Sequence, residues 1–365
     1  MATAAETGRA TGEQALDSAR LEQLLGQAVT DMGAAMNGVL VMIGAELGLW
    51  SALKDAGPLT AAQVAERTGV PVLYVNQWLA AQAASGNVDY DAGGGTFTLS
   101  PEQALVLADE NSPVYLVGGY HIVASVYRDR DRIAEALRSG RGFGWHEHDP
   151  ELFRGTEQFF RPGYRTHLVA EWIPALDGMT EKLRAGAKVA DIGCGHGVST
   201  ILMAQAYPAS TVHGFDYHRA SVDKAAALAA EAGVSDNTVF AAASAKDFPG
   251  EGYDLVCFFD CLHDMGDPVG ALRHTREVLA PDGAVMLVEP FANDELADNL
   301  NPVGRIYYAA STVICTPSSL SQEVAAGLGA QAGEKRLREV AEEAGFTRFR
   351  RATETPFNMV LEARP

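Results

Sequence analysis

The chain has 365 residues, 47% of them hydrophobic and 21% charged, which is ordinary for a folded protein and excludes disorder of the whole chain. That length exceeds one ordinary domain, so two are expected. With 28 Lys and Arg against 47 Asp and Glu, the net charge is −19, a field that repels a phosphate backbone and favours a small, neutral or cationic partner.

In chain order, residues 1–20 are rich in Ala, Thr, Gly and Glu and read as a flexible tail. They hold no apolar stretch of the kind a secretory leader needs. The longest apolar run, 38–50, is broken by Glu46 and is too short to span a bilayer. Cys194, Cys257, Cys261 and Cys315 form no C-x-x-C pair, so neither a zinc site nor a disulfide framework is expected. These features point to a cytoplasmic protein with reduced thiols, no membrane contact and no metal.

Apolar residues from Leu21 to about Leu53 are helix-spaced or nearly continuous and predict long helices. Thr60 and Gln63 make a capping box for a short helix ending near Gly69, and Pro71 opens a second helix running to about Ser85. Short strands are expected at 88–90 and 96–99 around the Gly93–Gly94–Gly95 turn. Helix, turn, helix and hairpin together describe a winged helix. From Pro113 to about Met179 the pattern is helical again, interrupted by the polar stretch 139–150. Beyond Leu183 strands are expected at 188–192, 211–215, 238–241, 253–259, 284–289 and 357–362. Helices between them, such as 268–279 and 334–344, imply a mostly parallel sheet. The expected division is a tail at 1–20, a winged-helix domain at 21–110, a helical connector and lid at 111–180, and an α/β domain at 181–365.

The strongest chemical signal is Asp191-Ile192-Gly193-Cys194-Gly195-His196-Gly197, placed between a strand and a helix. Glycines at 193, 195 and 197 let a ligand approach the backbone. The spacing is G-x-G-x-G, with Val198 where a dinucleotide fingerprint wants its last glycine. The next strand leads to Asp216, whose carboxylate can accept hydrogen bonds from two ribose hydroxyls; Tyr217 beside it joins the cofactor-binding set. A bare turn and a following carboxylate suit a cofactor carrying adenosine.

These residues, with Tyr253-Asp254-Leu255-Val256 and Leu279-Ala280-Pro281-Asp282-Gly283, resemble successive landmarks of class I S-adenosylmethionine-dependent methyltransferases. Upstream, Glu46-Leu47-Gly48-Leu49-Trp50 and the run 57–65 are similar to the winged-helix domain of small-molecule O-methyltransferases of actinobacterial type. The resemblance implies a Rossmann-like domain of seven strands with the last antiparallel, and S-adenosyl-L-methionine as cofactor. It places Ser244 and Ala245 at the adenine edge, with Asp247 as a substitute acid there. Phe259, Asp260 and Cys261 would border the methionine moiety. His263, in the pair His263-Asp264, would be the general base, a role that suits imidazole near neutral pH. Among the aromatic residues, Trp145, Tyr164 and Tyr308 are expected near substrate.

Residues 71–85 contain no Lys or Arg, so the winged helix lacks the charge of a DNA reader. Its apolar helices suggest a homodimer interface instead, as the resemblance also implies. The resulting expectation is methyl transfer from S-adenosylmethionine to an oxygen, nitrogen or carbon nucleophile of a small metabolite. The rivals are a transcriptional regulator that senses the cofactor, a methyltransferase-like protein catalysing other chemistry, and an NAD-dependent enzyme.

Overall fold

The computed structural model describes residues 16–365. They form two compact units, one ending at Gln103 and the other Ala104–Pro365. In the first, helices α1 (Ser18–Glu46), α2 (Leu49–Leu53), α3 (Ala61–Thr68) and α4 (Val72–Ala84) precede the hairpin β1 (Asp89–Asp91) and β2 (Thr96–Thr98). Of the tail expected at 1–20, residues 1–15 lie outside the described residues. Ser18–Arg20 already belong to α1, because the Asp17 carboxylate accepts from Arg20 N at 3.1 Å and caps the helix early. The Thr60–Gln63 capping box is present, and Asp91 accepts from Gly93 N and Gly94 N to shape the wing.

The end of α1 packs on two tryptophans. Trp50 Nε1 donates to Val41 O and Trp78 Nε1 to Leu40 O, while the two rings meet edge to face at 4.6 Å. A Cβ on Gly44 would stand 2.5 Å from the Trp78 ring, so only glycine admits this approach. The rest of α1 is different. Leu21, Leu24, Leu25, Val29, Met32 and Met36 are all exposed, and the helix is long and apolar enough, by length and composition, to cross a membrane. The sequence reading missed this because it measured the unbroken run 38–50 rather than the whole helix.

The second unit opens on helices α5 (Pro101–Leu107, straddling the division), α6 (Val117–Arg128), α7 (Arg130–Ser139) and α8 (Glu151–Gly163). Helices α6 and α8 cross closely at glycines. A Cβ on Gly118 would meet Phe159 N at 2.5 Å, and one on Gly155 would meet Ile122 N at 2.7 Å. At Tyr164 the helix widens into a nine-residue π-helix, Tyr164–Trp172, just after Pro162 removes one backbone donor. Then come α9 (Met179–Ala185), α10 (Val198–Ala206), α11 (Arg219–Glu231), α12 (Pro268–Val278), α13 (Pro302–Ala310), a second π segment Ser311–Cys315, α14 (Thr316–Leu320) and α15 (Gly333–Glu343).

These helices surround a seven-stranded sheet of β3 (Lys188–Ile192), β4 (Thr211–Asp216), β5 (Thr238–Ala242), β6 (Tyr253–Phe259), β7 (Leu279–Pro290), β8 (Arg348–Glu354) and β9 (Asn358–Arg364), in the order β5-β4-β3-β6-β7-β9-β8. The first five run parallel and β9 runs antiparallel to β7, as expected. Strand residues alternate between two cores. Val189, Leu255 and Cys257 face one; Ala190, Val256 and Phe258 face the other. Strand β8 was not anticipated. Its sequence, RFRRATE, is charged and only half-buried, as suits an edge strand protected from pairing with another chain.

Candidate functional site

The sheet order turns at β3, with β4 on one side and β6 on the other. A crevice opens outside the carboxyl ends of the strands at such a point. Here it is a cavity of about 500 Å³ lined by loop ends after β3, β4, β5 and β6, by α8, and by Ser318, Ser321, Gln322 and Glu323.

The turn after β3 is built as the sequence requires, but its three glycines do different work. All have positive φ: 70° at Gly193, 52° at Gly195 and 78° at Gly197. A Cβ on Gly193 would crowd Cys261 Sγ at 2.9 Å, and one on Gly197 would crowd Ala225 and Phe240; above Gly195 lies open space. Gly193 and Gly195 line the cavity, whereas Gly197 does not. Expected as a cofactor contact, Gly197 is instead a packing glycine that seats the start of α10.

Asp191 needs a similar correction. It is fully buried and off the cavity wall, where its Oδ2 accepts from Ser199 Oγ and Thr200 Oγ1, both at 2.6 Å. Oδ1 has no hydrogen-bond partner. Burial lifts this carboxyl to about 6 against the pull of the two hydroxyls. Asp216, by contrast, lines the cavity. Its oxygens accept from Gly195 N at 3.0 Å and His218 N at 2.8 Å, and each keeps a lone pair for a ligand. Burial raises its pKa, opposed by those two backbone donors.

Tyr217, Ser244, Ala245, Phe259 and Asp260 also line the cavity, with Trp145 and Tyr164 across from the strand ends on other elements. Asp247 does not; its carboxylate accepts from Ser244 N at 3.1 Å and shapes the loop. Asp260 adopts φ +49°, unusual for a side-chain-bearing residue. Tyr164 Oη donates to its Oδ2 at 2.9 Å and Asn358 Nδ2 to its Oδ1 at 2.7 Å. Burial, reinforced by the Glu289 charge, lifts the Asp260 carboxyl to about 8.

Two expected residues are displaced from the cavity wall. Tyr308 is not among its lining residues; its neighbour Tyr307 is buried instead, donating to Phe357 O at 2.9 Å. His263 is only 4% exposed and stands behind Asp264. Its Nδ1 is 2.5 Å from Glu289 Oε2, and Nε2 is 3.2 Å from Asp264 Oδ1. Burial works to lower its pKa, but the Asp264 and Glu289 carboxylates prevail and hold it well above the ordinary value. A base in direct contact with substrate must reach the proton it takes. The wall-lining member of this pair is Asp264, and His263 braces it from behind.

Sequence reasoning missed several wall residues. Glu157 pairs with His196 of the glycine turn at 2.9 Å; its helical position carried no signal. Lys246 lies 2.8 Å from Glu323 and 3.4 Å from Asp267, a contact made across 77 residues that only the fold brings together. Asn358, which opens β9 and donates to Asp260 from off the cavity wall, carries no motif either.

Residues 183–345 match the family model described as "Methyltransferase domain", and residues 35–109 match the "Rv2258c-like winged HTH domain". The 27-O-demethylrifamycin SV methyltransferase of Amycolatopsis mediterranei is 36% identical over 107 residues, 29% of this chain and 39% of that protein. The chain therefore spans well under two thirds of the length of this curated relative. A crystal structure of a putative O-methyltransferase from Nostoc punctiforme superposes with TM-score 0.71 at 18% identity, over 96% of this chain and 99% of that one. Human N-acetylserotonin methyltransferase, solved in complex with S-adenosylmethionine, superposes with TM-score 0.64 at 18% identity, over 97% and 99%. Over residues 183–345 and 35–109 the chain matches a methyltransferase domain preceded by a winged HTH domain, and with the seven-stranded order the whole-chain superpositions show that it shares the Rossmann-like fold of those solved structures.

Proposed function

We propose that the protein transfers a methyl group from S-adenosyl-L-methionine to a nucleophile on a small metabolite. The observation that carries this reading is the open space above Gly195 beside the Asp216 carboxylate. The residues present fit the cofactor. A Cβ at 195 would fill the cradle, and Asp216 keeps lone pairs for ribose hydroxyls. Bound S-adenosylmethionine supplies a methyl group on a positively charged sulfur. Tyr217, Ser244 and Ala245 would hold the nucleoside part and Phe259 and Asp260 the methionine part, with Tyr164 fixing Asp260. Positioning the nucleophile in line with that methyl group provides most of the acceleration. His263 is a positioning residue that holds Asp264 through charge.

Isothermal titration of the full chain with S-adenosylhomocysteine tests the reading. Micromolar binding is expected, together with a methylene mass gain on an acceptor; no binding removes the proposal.

We further infer a homodimer formed through α1, working in the cytoplasm. The support is the apolar stripe from Leu21 to Met36, exposed on a helix whose only charges between them are Glu22 and Asp31. Large exposed apolar patches mark interaction surfaces, and a helix without Lys or Arg along the stripe is poorly suited to an anionic bilayer. All four cysteines are free thiols, as a reducing compartment allows. Leu25→Glu with Met32→Glu is expected to halve the mass seen by light scattering; an unchanged mass argues against α1 as the interface.

A further inference from the structure

The cavity wall is aromatic and strongly acidic at once. Trp145, Phe153, Phe160 and Tyr164 line it together with Glu157, Asp216, Asp264, Asp267 and Glu323. Lys246 is the one Lys or Arg among the lining residues, and its ammonium is already held by Glu323 and Asp267. An acceptor bearing a carboxylate or phosphate finds no unclaimed cation there, and removing such a charge from water without a partner is costly.

One acid on this wall is held rigidly at the cavity. Asp264 turns its buried Oδ1 back toward His263 Nε2, 3.2 Å away, while the side chain, 17% exposed, lines the cavity. The imidazole behind it is itself fixed, because Glu289 holds Nδ1 and Leu262 N donates to the other Glu289 oxygen at 3.0 Å. Carbonyl contacts complete the brace. Gly329 N donates to His263 O and Gln322 Nε2 to Asp264 O. The carboxylate is therefore fixed against the cavity with acceptor capacity to spare, which is a binding site for a donor group.

We propose, resting on the methyltransferase reading, that the acceptor is an uncharged or cationic aromatic molecule whose hydroxyl or amine donates to Asp264, and that anionic acceptors are refused. The aromatic walls take the ring by stacking. Asp264, not His263, is the residue in contact with the acceptor.

The test uses the full chain saturated with S-adenosylhomocysteine, so that only the acceptor end remains to be filled. The probes are tyramine, 4-ethylphenol and 3-(4-hydroxyphenyl)propionate, and a naphthol series of the same three charges. In at least one series the cationic or neutral member is expected to bind about ten-fold or more tighter than the anion, as a nearby fixed carboxylate demands. Asp264→Asn should shrink the gap between cation and anion to about three-fold or less, and Asp264→Glu should preserve it. An anion binding equally or more tightly, a gap untouched in Asp264→Asn, or no binding by any probe overturns the proposal. If the asparagine variant does not fold, the ranking in the unaltered protein decides alone. Failure of the methyltransferase reading shows itself earlier, as absence of S-adenosylhomocysteine binding in the first titration.

Discussion

Asp216→Ala is expected to raise the dissociation constant for S-adenosylhomocysteine about 100-fold. A hydrogen bond to a charged group contributes about 1.5–3 kcal/mol, and a ribose offers two hydroxyls to this one carboxylate. Losing both removes about 3 kcal/mol, which is about two powers of ten in affinity. Part of that loss comes from the turn itself, since Asp216 also accepts from Gly195 N and His218 N. Asp216→Asn separates the two effects, because an amide oxygen still accepts one hydrogen bond; about a ten-fold loss is expected there. Calorimetry on both variants measures the pair. A change below about three-fold in the alanine variant would show that the sugar lies elsewhere.

The second large effect concerns Asp260 and pH. Its carboxyl titrates near 8 in the folded chain against 3.8 ordinarily, chiefly through burial and then through Glu289. Because the folded pKa is the higher one, the folded state keeps a proton that the unfolded chain has lost between these values. Stability from this group is therefore greatest below about pH 4, declines as pH rises towards about 8, and is level beyond. Each unit of pH in that window costs about 1.4 kcal/mol. Asp260→Asn removes the titration while an amide can still bond Tyr164 and Asn358. Urea unfolding at pH 5.5 and pH 8 should show the variant gaining on the unaltered protein by several kcal/mol at the higher pH. A difference that is the same at both values would mean the carboxyl titrates normally.

Much of the fold was legible because its signals are local. Capping at Thr60, the glycine turn and the nearly continuous apolar runs of β3 and β6 each declare themselves within a few positions. What escaped depended on distant contacts. Strand β8 has the composition of a surface segment and becomes a strand only because β9 supplies its hydrogen-bonding partner. Within the site, the residue types were readable but their depth was not. Asp191, Gly197 and His263 lie where the motif puts them in sequence, yet each sits one layer behind the cavity. The stripe of residues 318–323 and the clamp around Lys246 join segments far apart in the chain, and spacing holds no trace of them.

The two π segments have a consequence for how such a cavity changes over time. Each wide turn holds about one residue more than an α-helix would use. Tyr164 heads the first, and Cys315 ends the second. Deleting a single residue within 165–172 would therefore let the wide turn close to ordinary winding, with Tyr164 at one end and Trp172 at the other still facing nearly as they do now. The same deletion in an ordinary α-helix would turn one flank about 100° relative to the other. The wall of the cavity beside Tyr164 can thus shed one residue of its backbone without losing the side chains on either side of it.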